Sequence, residues 1–478
     1  MNDYAPAAES TVASTTTAPV DVSAASAAST SLLTDMYELT MLQGALESGT
    51  ALRRSVFELF GRRLPASRRF GVVAGTGRLL DAIEAFTFTP GQIDFLHRTG
   101  VVNDETLDFL RNYRFTGTIR GYAEGECYFA GSPLLTVEGT FAEACILETL
   151  ALSIYNYDCA VAAAASRMTI AAHGRPCVDF GARRAHELAA VAAARASVVG
   201  GFVGTSNLEA GLLYGIPTVG TSAHSFTLLH DTEEEAFAAQ VASLGPGTTI
   251  LVDTYDIATG VERAVKAARA AGGELGAVRL DSGDLVAEAF KVRAQLDSLG
   301  ATRTKITVTN DLDEHAIAAL GAAPVDSYGV GTKLVTGSGR PTAALVYKLV
   351  EREGADGTME EVAKFSSGGK STVGGRKWAG RALAAGGTAA EELVVSSSSR
   401  EQGLAALDEA GARPLQVLLV DEGRIIEEHR GKEALNAAAE RHRASRAELP
   451  YDAWRLSDGE SALSTRHVDL DGRGATRR

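Results

Sequence analysis

A histidine that could do chemistry, His224, lies among small and hydroxyl-bearing residues in the stretch 220–231, which reads GTSAHSFTLLHD. The apolar run at 216–219 directly before it is typical of a short buried strand. Small polar residues after a strand leave backbone N–H groups free to bind anionic oxygens. A histidine there can transfer a proton near neutral pH or be phosphorylated on nitrogen. The alternative is a turn histidine whose hydrogen bonds are satisfied by the backbone.

The sequence RLDSGD at 279–284 brings a cation and two carboxylates together. Alternation along a strand places Arg279 and Asp281 on the same face. The backbone amides of Ser282 and of the glycine after it lead into a helix N-terminus, which attracts anions. The carboxylates of Asp281 and Asp284 favour a magnesium ion or sugar hydroxyls. A polyanionic sugar with a metal satisfies both tendencies, and a helix capped by Asp284 is compatible with either.

Two further motifs could bind an aromatic ring and a phosphate. In DFGARR at 179–184, Phe180 could stack on a flat ring while Arg183 forms paired hydrogen bonds to a carboxylate or phosphate. An ordinary helix start with surface arginines is the alternative. The turn GVGTK resembles a phosphate-binding turn, although its spacing is not that of a Walker motif, and such a turn can be purely structural. Its candidate phosphate contacts are Gly329, Gly331, Thr332 and Lys333.

Short apolar runs separated by helical patterns recur through the second part of the chain. They predict strands at 177–180, 201–203, 216–219, 250–252, 277–280, 306–308, 327–330 and 345–350. Apolar residues recur at helical spacing between Leu285 and Leu299, which predicts a helix over 284–299. Strands alternating with helices are typical of a parallel sheet. About eight such runs favour an irregular (β/α) barrel over an open sheet.

In a barrel, functional residues lie where the strands end, at the carboxyl rim. The residues that directly follow the predicted strands include cations, carboxylates and small donors. They are Arg183, Arg184, Thr205, Ser206, Asn207, His224, Ser225, Asp253, Asp256, Asp281, Ser282, Asp284, Asn310, Asp311, Gly331, Thr332 and Lys333. A purely structural rim would tolerate a more random composition, so this pattern indicates a binding or catalytic site.

We expect an α/β protein with two domains and flanking segments. The expected divisions are a disordered tail at 1–30, a smaller α+β domain at 31–155, the barrel domain at 156–350, a segment packing on both at 351–463 and a disordered tail at 464–478. The first tail is rich in Ala, Ser and Thr and lacks the basic start and apolar core of a secretory signal. The stretch 364–381 is basic and glycine-rich and is interpreted as a mobile loop or surface segment.

Charge and cysteine content exclude several classes of partner. The net charge of −14 argues against nonspecific binding to nucleic acid, so an anionic substrate requires a local positive site. The four cysteines contain no CxxC pair and suggest neither a disulfide framework nor a zinc site, which predicts a cytoplasmic location. No apolar run approaches the ~20 residues of a membrane span, so no membrane partner is expected.

Taken together, these segments resemble the successive motifs of the nicotinate phosphoribosyltransferase family. The matching segments are TDMYELTM (34–41), FELFGRRLP (57–65), DFGARR (179–184), GTSN (204–207), GTSAHSF (220–226), LVDTYDI (251–257), RLDSGD (279–284) and YGVGT (328–332). The resemblance extends in order from residue 31 to residue 350, and GTSAHSF with RLDSGD is its most specific part. It implies transfer of phosphoribose from phosphoribosyl pyrophosphate to the ring nitrogen of nicotinate, the first step of NAD synthesis from nicotinate.

The resemblance also implies co-substrates, a cofactor and residue roles. ATP would be a co-substrate that phosphorylates His224, and Mg²⁺ would be held by Asp281 and Asp284. Phe180 would stack on one face of nicotinate and Tyr37 of the partner subunit on the other, which implies a homodimer with shared sites. The catalytic residues would be His224, Asp281 and Arg279. The substrate contacts would be Asp35, Tyr37, Phe180, Arg183, Ser206, Asn207, Ser225, Asp253, Ser282, Asp284, Gly329, Gly331, Thr332 and Lys333.

Two alternative functions remain open. Nicotinamide phosphoribosyltransferase is a relative with the same fold, in which an aspartate at the position of Ser206 accepts a hydrogen bond from the amide. A carboxylate there would repel the carboxylate of nicotinate, so Ser206 favours the acid. The other alternative is a catalytically inactive relative that binds nucleotides, and the intact His224, Asp281 and Arg279 argue against it.

Overall fold

The computed structural model describes residues 29–364 and 373–472. Its first part joins strands and helices, and three of its six helices begin at a side-chain N-cap. The elements are α1 (Met36–Glu47), β1 (Arg54–Gly61), β2 (Gly71–Val72), α2 (Thr76–Glu84), α3 (Pro90–Thr99), α4 (Asp104–Arg111), β3 (Thr118–Tyr122), β4 (Cys127–Tyr128), β5 (Pro133–Thr140), α5 (Phe141–Cys145) and α6 (Glu148–Ala171). Helix α3, for example, begins at a capping box between Thr89 and Gln92, with Pro90 as its first residue.

The middle part alternates strands with helices. Its elements are β6 (Cys177–Asp179), α7 (Glu187–Val199), β7 (Gly204–Thr205), α8 (Leu208–Tyr214), α9 (His224–Leu229), α10 (Glu233–Leu244), β8 (Thr249–Leu251), α11 (Ile257–Ala270), β9 (Ala277–Leu280), α12 (Leu285–Ser298), β10 (Lys305–Val308), α13 (Glu314–Ala319), β11 (Ser327–Val330) and α14 (Thr332–Val335). Side chains of Asn207, Asp256, Asp284 and Asp313 cap α8, α11, α12 and α13. These helices therefore start within a few residues of the preceding strand.

The last part is mainly antiparallel. Its elements are β12 (Leu345–Glu353), β13 (Met359–Glu361), β14 (Lys377–Leu383), β15 (Ala389–Ser396), α15 (Arg400–Glu409), β16 (Ala412–Pro414), β17 (Gln416–Asp421), β18 (Arg424–Ile425), α16 (Gly431–Ala447) and β19 (Thr465–Asp469). Strands β16, β14, β15 and β19 form a four-stranded sheet in that order. Strands β12, β13, β17 and β18 instead return to the first part of the chain.

The middle part forms a curled half-barrel, which confirms the expected irregular (β/α) fold class. Its six strands are parallel in the order β7-β6-β11-β10-β9-β8. Three strand predictions need correction. The strand expected at 201–203 lies at β7, and the run at 216–219 makes only a single bridge, between Thr218 and Thr205. The run at 345–350 lies in β12, which pairs with β1 outside the half-barrel, because an apolar pattern does not specify its partner strand.

The first part is organised around a seven-stranded sheet in the order β13-β12-β1-β5-β3-β17-β18. Strand β1 is antiparallel to both β12 and β5. Four of the seven strands thus come from beyond residue 344, so the α+β unit is not confined to 31–155. The boundary expected at 155/156 also falls inside the 24-residue helix α6.

Helix α6 belongs to two hydrophobic cores at once. Its first half, including Leu150 and Tyr155, packs in the core of the seven-stranded sheet. Its second half, including Val161 and Met168, packs in the core of the half-barrel. Because apolar side chains on one rigid helix are buried in both cores, the two units are joined into one packed body. Within the described residues, no helix has the length and apolar character needed to cross a membrane.

The basic stretch at 364–381 was expected to be a loop or a surface segment, and this is wrong for its last residues. Residues 365–372 lie outside the described part of the chain. Strand β14 buries Lys377, whose Nζ donates to Glu58 Oε2 at 2.8 Å. It also buries Arg381, which pairs with Glu392 at 3.2 Å. The positive charges are thus neutralised inside the protein, which a count of basic residues does not reveal.

The folded part extends further towards both ends of the chain than the sequence analysis predicted. At the C-terminal end β19 runs parallel to β15, although 464–478 was predicted to be disordered. This strand is held by Arg466, which pairs with Glu391 at 2.8 Å, and by Thr465, which donates to Ala130 O at 2.7 Å. At the other end Ser29 donates to Thr87 O at 2.6 Å. The remaining tail predictions, at 1–28 and 473–478, lie outside the described residues.

Candidate active site

A cavity of 270 Å³ opens at the carboxyl ends of the half-barrel strands. It brings together six of the predicted site residues: Phe180, Arg183, Ser206, His224, Arg279 and Asp281. Its lining residues are Phe180, Ala182, Arg183, Ser206, Gly220, Thr221, Ser222, Ala223, His224, Leu251, Arg279 and Asp281. Aromatic, cationic, anionic and hydroxyl groups therefore face one space. We call it the His224 cavity.

Arg279 at the end of β9 is held by neighbours on three sides. Its Nε donates to Thr309 Oγ1 at 3.1 Å, and its Nη1 donates to Thr221 Oγ1 at 2.9 Å. Its Nη2 lies 3.3 Å from Oδ1 of Asp281. The side chain is only 12% exposed, so little of its charge is screened by solvent. This guanidinium forms a fixed positive wall of the cavity.

The carboxylates beside it are linked through the turn after β9. Asp253 Oδ2 accepts from the backbone N–H of Asp281 at 3.0 Å and from Ser282 Oγ at 2.6 Å. Asp281 Oδ1 accepts a short hydrogen bond from Thr309 Oγ1. The other oxygen of Asp253, Oδ1, is buried and has no hydrogen-bond partner in the described residues. A buried carboxylate oxygen without a donor is a position where a bound cation or hydroxyl is favoured.

His224 is the first residue of α9 and faces the buried Asp253. Its Nδ1 lies 3.0 Å from Thr254 Oγ1, within hydrogen-bond distance. Its Nε2 lies 3.9 Å from Asp253 Oδ1, too far for a hydrogen bond. The imidazole is 43% exposed, whereas the side chain of Asp253 is 1% exposed. The ring is therefore oriented by one neighbour, stands near a negative charge and remains accessible from solvent.

The ring of Phe180 is positioned by the turn that follows β6. Asp179 is buried, and its carboxylate accepts from the N–H of Gly181 and from Thr205 Oγ1, both at 2.7 Å. Burial raises the pKa of Asp179. The guanidinium carbon of Arg279 lies 5.5 Å from the centre of the Phe180 ring, a cation–π distance. An aromatic face and a cation thus adjoin at one end of the cavity.

Gly329 of β11 makes room for that ring. A Cβ at this position would lie 2.6 Å from Phe180 Cδ2 and 2.6 Å from Thr309 Cγ2. Gly329→Ala is therefore expected to lower the free energy of unfolding by about 1–3 kcal/mol, because overpacking displaces the ring or the strand. Chemical denaturation measures the change. Gly220→Ala is the matched control, since its Cβ would meet nothing within 4 Å; equal stability of the two variants would contradict the packing argument.

Several predicted site residues do not line the His224 cavity. The carboxamide of Asn207 and the carboxylate of Asp284 cap α8 and α12 through Ala210 N and Ala287 N, and for Asp284 this is the capping role that the sequence analysis left open. Ser282 contacts Asp253, as described above. The other residues that do not line the cavity are Asp35, Tyr37, Ser225, Asp253, Gly329, Gly331, Thr332 and Lys333. Of these, Tyr37 is 44% exposed on α1.

Three threonines organise the site through contacts that the sequence analysis did not predict. Thr309 joins Arg279 to Asp281, Thr221 accepts from Arg279, and Thr254 lies against His224. Thr309 and Thr254 follow predicted strands by one or two residues, and the same positional rule would have identified them. Thr221 lies within the GTSAHSF motif, and its contact with Arg279 was not predicted.

Among the described residues, no group of three or more His, Cys, Asp or Glu side chains is arranged to hold a metal ion. The backbone N–H of Asp281 nevertheless donates to Asp253 Oδ2, which brings the two residues together, and Oδ1 of Asp253 lacks a donor. Magnesium often takes only one or two protein carboxylates and completes its shell with water and substrate phosphates. The residues present therefore fit a magnesium ion that is bound together with a phosphorylated substrate.

Comparison with family models covers most of the chain. Residues 32–156 match the nicotinate phosphoribosyltransferase (NAPRTase) N-terminal domain, and residues 176–366 match the nicotinate phosphoribosyltransferase (NAPRTase) family. The nicotinate phosphoribosyltransferase pncB1 of Mycobacterium tuberculosis is 52% identical over 445 residues, which are 91% of this chain and 95% of the relative. The nicotinate phosphoribosyltransferase of Bacillus subtilis is 38% identical over 73% of this chain and 72% of its own length.

A solved structure supports the fold. The crystal structure of human nicotinic acid phosphoribosyltransferase superposes with a TM-score of 0.77 at 24% identity, covering 91% of this chain and 97% of that chain. At 24% identity the superposition establishes a shared fold and nothing about activity. Together with the family models and the similarity to the Mycobacterium tuberculosis enzyme, it leads to one conclusion: the chain belongs to the nicotinate phosphoribosyltransferase family.

Proposed function

We propose that this protein is a nicotinate phosphoribosyltransferase. It transfers the phosphoribosyl group of phosphoribosyl pyrophosphate to the ring nitrogen of nicotinate and forms nicotinate mononucleotide and pyrophosphate, the first step of NAD synthesis from nicotinate. The observation that carries the proposal is the placement of Arg279 over Phe180, at 5.5 Å from the ring centre. A flat ring that bears a carboxylate can stack against Phe180 while its charge meets a guanidinium.

The reaction does not require the protein to act as a general base. The pyridine nitrogen already carries a lone pair, so it forms the new bond to the ribose carbon without a general base. The bond from that carbon to pyrophosphate breaks, and positive charge develops on the ribose while negative charge develops on the leaving group. Asp281 can stabilise the ribose side, and Arg279 and Lys333 can stabilise the phosphate oxygens.

Magnesium is the proposed cofactor. Asp281 and Asp284 are its predicted ligands, and the unpartnered oxygen of Asp253 makes that residue a further candidate. When bound, the ion would neutralise charge on the pyrophosphate group. Asp284 also caps α12 with one carboxylate oxygen, and its other oxygen accepts no hydrogen bond in the described part of the chain.

We further propose that ATP is a co-substrate that phosphorylates His224. The γ-phosphoryl bond of ATP breaks as a nitrogen–phosphorus bond forms, ADP leaves, and water later releases phosphate. Thr254 fixes the orientation of the ring at Nδ1. The hydroxyls of Thr221, Ser222 and Ser225 can donate hydrogen bonds to phosphoryl oxygens. Hydrolysis of the phosphohistidine would favour formation of the mononucleotide over the reverse transfer.

Substrate choice tests the proposed function. Nicotinate should be converted and nicotinamide scarcely at all, because Arg183 and Arg279 supply positive charge and Ser206 in the cavity supplies no negative charge. Arg183→Ala should lower kcat/KM for nicotinate by about ten- to a hundredfold, the effect of one charge-assisted hydrogen bond of about 1.5–3 kcal/mol. Steady-state assays with both substrates measure it.

Arg184→Ala is the matched control, because Arg184 is an exposed neighbour that does not line the cavity. Equal rates with nicotinate and nicotinamide would favour the nicotinamide enzyme instead. A folded protein without turnover on either substrate would favour the inactive nucleotide-binding relative.

A homodimer with shared sites is the proposed assembly. Tyr37 is exposed and does not line the His224 cavity of its own chain. Its neighbours Leu33 and Met36 are 61% and 62% exposed, and Leu228 and Leu229 of α9 beside the cavity are 61% and 77% exposed. Exposed apolar groups of this kind are suited to a subunit contact. The four cysteines are free and buried, which fits the proposed cytoplasmic location.

Subunit mixing tests the shared site. Tyr37→Ala and Arg279→Ala chains, each nearly inactive alone, should recover up to about a quarter of wild-type activity after exchange, since random pairing places both intact groups in one of the two sites of half the dimers. Activity of the mixture is compared with that of each variant incubated alone. Exchange shown by mass-tagged chains, without recovered activity, would contradict the shared site.

A further inference from the structure

A second cavity lies where the four-stranded sheet meets the seven-stranded sheet, under α15. It has a volume of 100 Å³ and shares no lining residue with the His224 cavity. Strands β3, β14 and β17 and helix α15 contribute its walls. Its polar side chains are Arg120, Arg400 and Gln416, and its largest apolar wall is Trp378. We call it the Arg120 cavity.

Arg120 has no counter-ion in the described part of the chain. The two carboxylates whose charges act on Arg120 form ion pairs with other arginines: Glu138 with Arg376 at 3.0 Å, and Asp421 with Arg424 at 3.2 Å. Partial burial lowers the pKa of Arg120; the negative charges of Glu138 and Asp421 oppose this shift, and the positive charges of Arg400 and Arg376 add to it. A half-buried guanidinium without an acceptor is an unfavourable arrangement that a bound anion would relieve.

Two further donors face the same space. Arg400 is the first residue of α15 and makes no ion pair or side-chain hydrogen bond among residues 29–364 and 373–472. Gln416 accepts from Ala379 N at 3.1 Å through Oε1, which orients its amide and leaves the NH₂ group without a described partner. Two guanidiniums and an amide approaching from different elements can coordinate several oxygens of one tetrahedral anion.

The walls favour a small anion over a large one. Trp378 is 4% exposed, and its Nε1 donates to Ser397 O at 3.1 Å, so its ring is fixed. Leu404 and Leu418 complete an apolar surround, which reduces the screening of charge inside the cavity. The volume admits a phosphate group but not a nucleoside attached to it. An attached organic group would have to extend past the exposed Arg400 into solvent.

We propose that the Arg120 cavity is a binding site for a phosphate dianion, either free or as the phosphate group of a small ester. The anion pairs with Arg120 and Arg400 and accepts from the amide of Gln416. It thereby joins β3 of the seven-stranded sheet to α15 of the four-stranded sheet. The proposal does not depend on the activity assigned to the His224 cavity.

The chain offers a local reporter, because it contains two tryptophans, Trp378 and Trp454. In a Trp454→Phe background the emission comes from Trp378 alone. Titration with inorganic phosphate at constant ionic strength should give a saturable change in emission, with half-saturation at about 1 mM or below. Titration with glycerol 2-phosphate in parallel shows whether the ester or the free ion binds more tightly.

Arg120→Gln and Arg400→Gln should each raise the dissociation constant at least about tenfold, the effect of losing one charge-assisted hydrogen bond. Arg443→Gln, on the exposed face of α16, is the matched control and should leave it unchanged. Arg279→Gln should also leave it unchanged, which separates this site from phosphate bound in the His224 cavity. Thermal unfolding of each variant checks that it is folded.

Three results would overturn the proposal. One is an equal emission change with chloride at the same ionic strength. Another is the absence of a saturable response to phosphate or glycerol 2-phosphate up to about 10 mM. The third is a wild-type dissociation constant in folded Arg400→Gln protein. Because Arg400 is exposed at a helix start, its replacement does not threaten folding, so this variant decides the outcome even where Arg120→Gln is unstable.

Discussion

Arg279→Gln is expected to lower kcat/KM for phosphoribosyl transfer by about 10²–10³-fold, the range found when one preorganised electrostatic group is removed from an active site. The side chain contacts Thr309, Thr221 and Asp281 and lies over the Phe180 ring. Glutamine removes the charge and the forked geometry together. Steady-state kinetics with nicotinate and phosphoribosyl pyrophosphate measure the loss.

Two matched variants distinguish the effect of the charge of Arg279 from that of its geometry, and both from the loss of an arginine outside the site. Arg279→Lys keeps the charge but cannot bridge the same neighbours, so it should fall between wild type and Arg279→Gln. Arg303→Gln removes an exposed arginine of the same domain, which pairs with Glu274, and should keep wild-type rates. A loss smaller than about tenfold in folded Arg279→Gln protein would remove this arginine from the proposed machinery.

His224→Ala should abolish ATP hydrolysis and the stimulation of transfer by ATP, while part of the transfer activity without ATP remains. The imidazole is the proposed phosphoryl acceptor, whereas the pyridine nucleophile and the carboxylate of Asp281 do not depend on it. Incubation with radiolabelled ATP, followed by acid and base treatment of the trapped protein, measures the modification. The wild-type label should be acid-labile and base-stable.

His230→Ala provides the matched control for this experiment. Nδ1 of His230 lies 2.8 Å from the backbone O of Phe226, and the centres of the two rings are 4.8 Å apart. These contacts give His230 a structural role. The variant should keep both the label and the stimulation by ATP. Undiminished acid-labile label in His224→Ala would place the phosphoryl group on another residue.

The elements that carry the site were predictable because local signals set them. Asp284 caps α12, and the helix predicted over 284–299 is observed at Leu285–Ser298. The strand at 277–280 is observed as β9 within the same limits. Asp281 follows β9, as the rule for parallel strands predicts, and it lines the same cavity as His224 and Arg279. These are features of single segments, which periodicity and capping residues record directly.

Features that depend on distant segments were not predictable in the same way. The apolar run in β12 does not reveal that its partner is β1 rather than β11. The polar sequence of β19 looks like a tail, and only its pairing with β15 makes it a strand. The basic residues Lys377 and Arg381 are buried because Glu58 and Glu392 meet them from remote positions. Such pairings are decided by tertiary structure, which a single sequence does not display.

The strand order of the seven-stranded sheet constrains how the protein can fold. Ser55 in β1 pairs with Arg352 in β12, and Gly121 in β3 pairs with Val417 in β17. Both pairings close loops that contain the whole half-barrel, and such non-local contacts form late and slowly. Until they form, β1 and β3 expose unpaired backbone edges, which favour association between chains. During synthesis, β1 and β3 must therefore wait with open edges until β12 and β17 have been made. A chaperone that binds these edges would protect the chain from association during that interval.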